Sequence, residues 1–116
     1  MGEILYKVAR AAEWEAARKA AVFTGSADDE RDGFIHLSRG TQLKVTLEKH
    51  FAGEEGLLLL ALDAEGLGPE LKWEASRGGE LFPHLYGPLK LTSVRSVVAI
   101  RRDGDGRPIL PVFGNP

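Results

Sequence analysis

The chain has 116 residues, 43% of them apolar and 28% charged, with fifteen basic against seventeen acidic side chains and a formal net charge of −2. Such a length carries one domain with a real core, expected over residues 1–113, ahead of a frayed tail at 114–116. The absence of cysteine excludes disulfides, thiolate metal sites and cysteine nucleophiles. Nucleic acid gains no electrostatic support from this charge balance, although Lys72, Arg77, Lys90, Arg95, Arg101 and Arg102 are available to gather locally.

The first ten residues, MGEILYKVAR, lack the basic start and long apolar run of a signal peptide. Within them ILYKVA (4–9) is rich in strand formers and reads as a first strand. From 11 to 22, AAEWEAARKAAV is free of Gly and Pro and predicts a helix, with Trp14, Ala17 and Ala21 along one face. TGSADDERDG (24–33) is a polar loop, either a solvated connection or a flap over a site. DGFIHLS (32–38) is a turn followed by a strand, and Leu43, Leu47 and Phe51 then recur every four residues in a second helix that Gly53 stops.

GLLLLALD (56–63) is apolar on both faces, as befits a central covered strand. Its apolar core is far too short to span a bilayer, so a cytoplasmic protein without a membrane partner is expected. LKWEA (71–75) alternates, with Leu71 and Trp73 on one face and Lys72 and Glu74 on the other. LFPHLYGPL (81–89) is a proline-stiffened extended segment or edge strand. SVRSVVAIRRD (93–103) is a strand with Val94, Val98 and Ile100 inward, GDGR makes a turn, and PILPVF (108–113) closes the chain as a short strand. Two early helices followed by strands predict an α+β fold, the helices packed on a mixed, mostly antiparallel sheet.

Three places invite chemistry. In the strand at 34–38, Ile35 and Leu37 suit the core, so Phe34, His36 and Ser38 look the other way, into a cleft. Ser38 is also placed to cap the second helix, and His36 is either satisfied inside the protein or by a ligand. In FPHLYGPL, Phe82, His84 and Tyr86 share a face, offering an imidazole and a phenol for stacking or hydrogen bonding, or else a half-buried tyrosine on an edge. Glu74 either stabilises positive charge or pairs with Lys72 or Arg77. His36, His84 and Glu74 have no characteristic metal-ligand spacing, so no metal is expected. No GxGxxG, Walker sequence or nucleophile elbow occurs.

Taken together, Trp14, DGFIHLS at 32–38, Trp73-Glu74 and FPHLYG at 82–87 resemble the pattern of the DUF952 family of small bacterial proteins, over nearly the whole chain. That resemblance implies an ADP-ribosyltransferase-like fold, in which an early-strand histidine holds the ribose of NAD, an aromatic ring stacks on nicotinamide and a carboxylate supports the reacting ribose. Carried over, His36 is the ribose-binding histidine with Ser38 and Phe34 beside it, Tyr86 the stacking ring and Glu74 the available carboxylate. The superfamily's acidic residue comes late in the chain, where this sequence has only Asp103 and Asp105 in a turn, and His84 is the other candidate for that place. The expectation is an NAD- or ADP-ribose-utilising transferase-like enzyme with His36, Glu74 and His84 as catalytic residues and Phe34, Ser38 and Tyr86 binding the ligand. The alternatives are a nucleotide-like ligand-binding module without turnover, and a structural or interaction protein.

Overall fold

The computed structural model describes residues 3–110, without the side chain of Arg77. The expected tail at 114–116 and the end of the last expected strand lie outside the described residues. The fold is α+β, and every strand pair in it is antiparallel.

Strand β1 (Ile4–Arg10) runs directly into helix α1 (Ala11–Ala20), and Ala21 ends the helix in a left-handed conformation, φ 65°. The expected two further residues of helix are therefore absent, and β2 (Val22–Phe23) starts at once. A third helix, α2 (Ala27–Asp32), occupies the segment expected to be a loop. Next come β3 (Ile35–His36), β4 (Ser38–Arg39) and α3 (Leu43–His50), the last entered through a 3-10 turn at Gly40–Gln42. The remaining strands are β5 (Leu57–Asp63), β6 (Leu71–Ala75), β7 (Leu81–Leu85), β8 (Leu89–Lys90), β9 (Val94–Ala99), β10 (Arg101–Arg102) and β11 (Pro108–Ile109).

The main sheet has the order β4-β1-β5-β9, and a second sheet the order β3-β7-β6; β2 pairs with β8 and β10 with β11. Strand alternation sends β5 side chains to two cores. Leu60 and Leu62 join Leu5, Ala17, Phe23, Ile35 and Leu85 on one face, against which Trp14 packs as its helical position predicts. Leu57 and Leu59 join Val8, Leu43, Leu47 and Ile100 on the other, with Phe51 against them. Each buried leucine contributes about 2 kcal/mol of apolar transfer energy, so β5 anchors both layers.

Strand β9 departs from the expected alternation. A bulge between Ala61 and Leu62 shifts its register, so Val94 opposes Leu62 while Val98 opposes Leu59, which points to the other face. Val94 and Ile100 thus serve different cores, and Val98 is 46% exposed on an edge strand.

Candidate functional site

The two sheets meet at a single residue. His36 in β3 pairs with His84 in β7, whereas Ser38 in β4 pairs with Tyr6 in β1, and only Leu37 lies between. Its amide donates to the Pro83 carbonyl (3.1 Å), carrying the β3–β7 ladder up to the switch. Because paired residues share a face, the two imidazoles stand side by side, ring centroids 5.7 Å apart and nearly perpendicular.

Each imidazole is held by its own carboxylate. Asp29 Oδ1 lies 2.6 Å from His36 Nδ1 and also accepts from the His36 amide at 3.0 Å. Its other oxygen accepts from the Ser26 amide at 2.9 Å and pairs with Lys7 Nζ at 2.7 Å. Both partners of that ion pair are buried, and Lys7 Nζ also donates to the His36 carbonyl. Burial by itself would raise the Asp29 carboxyl, but the hydrogen bond from His36 and the charge and hydrogen bond of Lys7, with the Ser26 amide, outweigh it and hold the group far below the ordinary carboxylate range. On the far side of the ring, His36 Nε2 faces Asp32 Oδ2 at 2.9 Å. Carboxylate oxygens only accept, so His36 makes both contacts as hydrogen bonds only with a proton on each nitrogen.

His84 Nδ1 donates to Glu74 Oε1 (2.7 Å), and the Tyr86 hydroxyl donates to the same oxygen (2.8 Å). These bonds, that of His84 first, draw the Glu74 carboxyl below its ordinary value, and the bond to Glu74 raises the Tyr86 phenol. With Nδ1 committed as a donor, His84 Nε2 carries the lone pair in the neutral ring. His84 is only 7% exposed, yet Nε2 has no hydrogen-bond partner among the described residues. Phe34 braces the set, stacked on His84 at 4.0 Å and tilted against His36 at 4.6 Å and Tyr86 at 5.2 Å.

A cavity of about 160 Å3 opens here, with Lys7, Asp29, Asp32, His36, Ser38 and His84 in its walls. Of the six residues singled out from sequence, His36, Ser38 and His84 line it, while Phe34, Glu74 and Tyr86 stand outside its lining, Phe34 packed on both imidazoles, Glu74 bonded to His84 and Tyr86 bonded to Glu74. Ser38 does not cap α3, because the 3-10 turn separates them; its hydroxyl bonds that of Thr46 at 3.2 Å. Helix α2 supplies one wall of the cavity. Sequence reasoning missed Lys7, Asp29 and Asp32. A signal for Lys7 existed, since it shares strand parity with core residues Leu5 and Ala9 and so demanded a buried partner. No group of three or more metal-ligating side chains suited to an ion occurs among the described residues. No helix of the described residues is long and apolar enough to cross a membrane.

An antiparallel α+β fold that seats two carboxylate-held imidazoles at a junction of sheets defines the class. Residues 8–97 match DUF952, described as a family of proteins of unknown function, and the chain belongs to that family. The fold is similar to the crystal structure of protein CC0527 from Caulobacter crescentus, with 51% sequence identity, a TM-score of 0.87, and 91% of this chain and 93% of that one covered. The solution structure of the same protein matches at 51% identity and a TM-score of 0.81, covering 90% of each chain. No curated protein matches this chain.

Proposed function

We propose that the cavity is the active site of a cytoplasmic, ADP-ribosyltransferase-like enzyme that takes the ribosyl end of NAD or of an ADP-ribose-like nucleotide. The observation that carries this reading is the buried, unpartnered Nε2 of His84 standing beside His36 at one cavity, each ring fixed by a carboxylate. Buried polar atoms are ordinarily satisfied, so a lone pair kept open on a cavity wall is an invitation to a ligand. His36 binds a ribose hydroxyl through Nε2, which its other nitrogen orients by bonding Asp29. His84 accepts the proton of the incoming nucleophile, and Glu74 positions it.

Size supports a partial rather than a complete enclosure. A void of about 150 Å3 holds one benzene-sized ring, so this cavity takes a ribose or a nicotinamide and leaves the rest of a dinucleotide outside. A shallower groove beside Phe34, Gly33, Gly87 and Pro88, about 350 Å3 and mostly apolar, presents no comparable histidine pair. Of the three aspartates in the wall, Asp29 is neutralised by the buried Lys7, while Asp28 and Asp32 share the exposed Arg31, which leaves carboxylate oxygens near a ribosyl group that becomes cationic as its bond to nicotinamide loosens.

Calorimetry with millimolar NAD and ADP-ribose, followed by chromatography of the products, tests the reading. Binding is expected for the wild type, loss of binding for His36→Gln, and retained binding with lost turnover for His84→Gln. Heat without product in the wild type leaves a non-catalytic binding module; no heat with either compound removes the reading altogether.

A further inference from the structure

Three carboxylates surround the histidines, and their environments separate their duties. Asp29 is 2% exposed, and its two oxygens already meet four donors, from the Ser26 amide, the His36 amide, the His36 ring and Lys7. It has neither free lone-pair capacity nor room to approach a ligand. Glu74 stands outside the cavity lining, its Oε1 occupied by His84 and Tyr86. Asp32 differs from both: it lines the cavity, a third of its side chain is exposed, and its Oδ2 touches His36 Nε2, the atom assigned to the ribose.

We infer that Asp32 is the carboxylate that stabilises the reacting ribose carbon, a catalytic assignment that rests on the proposed function of this cavity. When a ribose hydroxyl takes over His36 Nε2, Asp32 Oδ2 is released from the ring while remaining next to the bound sugar. The bond between C1′ and the nicotinamide nitrogen then breaks, and its electron pair leaves with nicotinamide, whose positive charge is cancelled. The positive charge that appears on C1′ and the ring oxygen lies against Asp32, at the end of the reaction where charge develops. Water, or the hydroxyl of an acceptor, adds to C1′, and its proton passes to His84 Nε2. Arg31 anchors the carboxylate by donating to both of its oxygens, Nε to Oδ1 at 3.0 Å and Nη2 to Oδ2 at 3.3 Å, so Oδ2 stays oriented when His36 turns to the sugar. The hydrogen bond from Arg31 holds Asp32 below its ordinary value, so the group is ionised throughout the neutral range.

The placement also explains how the site works without a late acidic residue. Asp32 ends α2, Gly33 turns the chain with φ 86°, and three residues later His36 returns to the same cavity. Hydroxyl binder and charge stabiliser thus come from one short stretch.

The test compares nicotinamide release from NAD and calorimetric binding of ADP-ribose in the wild type, Asp32→Asn and Asp32→Ser, with thermal midpoints as the check on folding. Removing a preorganised charge of this kind costs about 100-fold or more in turnover. The expected result is that loss in both variants, with ADP-ribose affinity within about threefold of wild type and unchanged midpoints. Turnover within about tenfold of an active wild type overturns the Asp32 assignment and leaves the function standing. A wild type that releases no nicotinamide overturns both.

Discussion

Asp29 shows how much one carboxylate can hold together. It joins α2 to β1 through Lys7, to β3 through His36 and to its own helix start through Ser26. Removing one member of a buried pair leaves the other charge uncompensated, which costs about 3–5 kcal/mol. Asp29→Asn is therefore expected to lower the unfolding free energy obtained from urea titration by that amount at pH 7. The pH dependence follows from the direction of the shift. Folding depresses the Asp29 carboxyl below its ordinary value of 3.8, so its stabilisation is complete above that value and fades as pH falls through the folded-state value. The difference between wild type and Asp29→Asn should shrink steadily below about pH 4, and a constant difference down to pH 2 would count against this account. His36 and His84 were legible as candidates because histidine on an apolar strand is costly and conspicuous. Asp29 was not, because it sits in the acidic run DDERD, where nothing local separates a buried aspartate from its solvated neighbours.

At the scale of elements, composition gave α1, four-residue spacing gave α3, alternation gave β1 and β6, an unbroken apolar run gave β5, and the lack of any such pattern hid α2. Its six residues, ADDERD, are polar except for Ala27 and carry no apolar stripe. What they do carry is a box: Ser26 accepts from the Asp29 amide, and the Asp29 side chain accepts from the Ser26 amide. Two left-handed glycines bound the helix, Gly25 with φ 111° and Gly33 with φ 86°. They are not equivalent. A Cβ on Gly25 would lie 2.6 Å from the Asp29 Cβ, whereas one on Gly33 would meet nothing within 4 Å. Gly33→Ala is expected to cost only the backbone term, about 1 kcal/mol, and Gly25→Ala clearly more, because the clash falls on the residue that latches the helix. Equal thermal midpoints for the two variants would contradict this. The inward setting of Val98 also failed at this scale: alternation counted from Val94 holds only until the bulge at Arg95, and Val98, although opposite Leu59, is left 46% exposed by its place on an edge strand.

For the molecule as a whole, β5 belongs to two cores at once, as its run of leucines requires. Leu59→Ala empties a site in one core and Leu60→Ala in the other, each expected to cost about 2–5 kcal/mol. Since one strand carries both, the two variants should unfold in a single transition with the same denaturant slope as wild type. A separate early transition for Leu59→Ala would mean that the layer under α3 stands apart from the rest. The division into two sheets was not legible, because the change of partner takes place within DGFIHLS without a Gly, a Pro or a gap in the apolar pattern after residue 33.

That change of partner has a consequence for what the family can alter. Side chains in a pleat swap sides with every step, so adding or deleting one residue at Leu37 would rotate either His36 or Ser38 away from the hollow they share. Hinge-like lengthening, the commonest way proteins diversify their connections, is closed to this crossing. Variation in ligand preference must instead come from the far wall, where Asp28 and Arg31 of the short helix can change while Asp29 keeps its hold on Lys7 and His36.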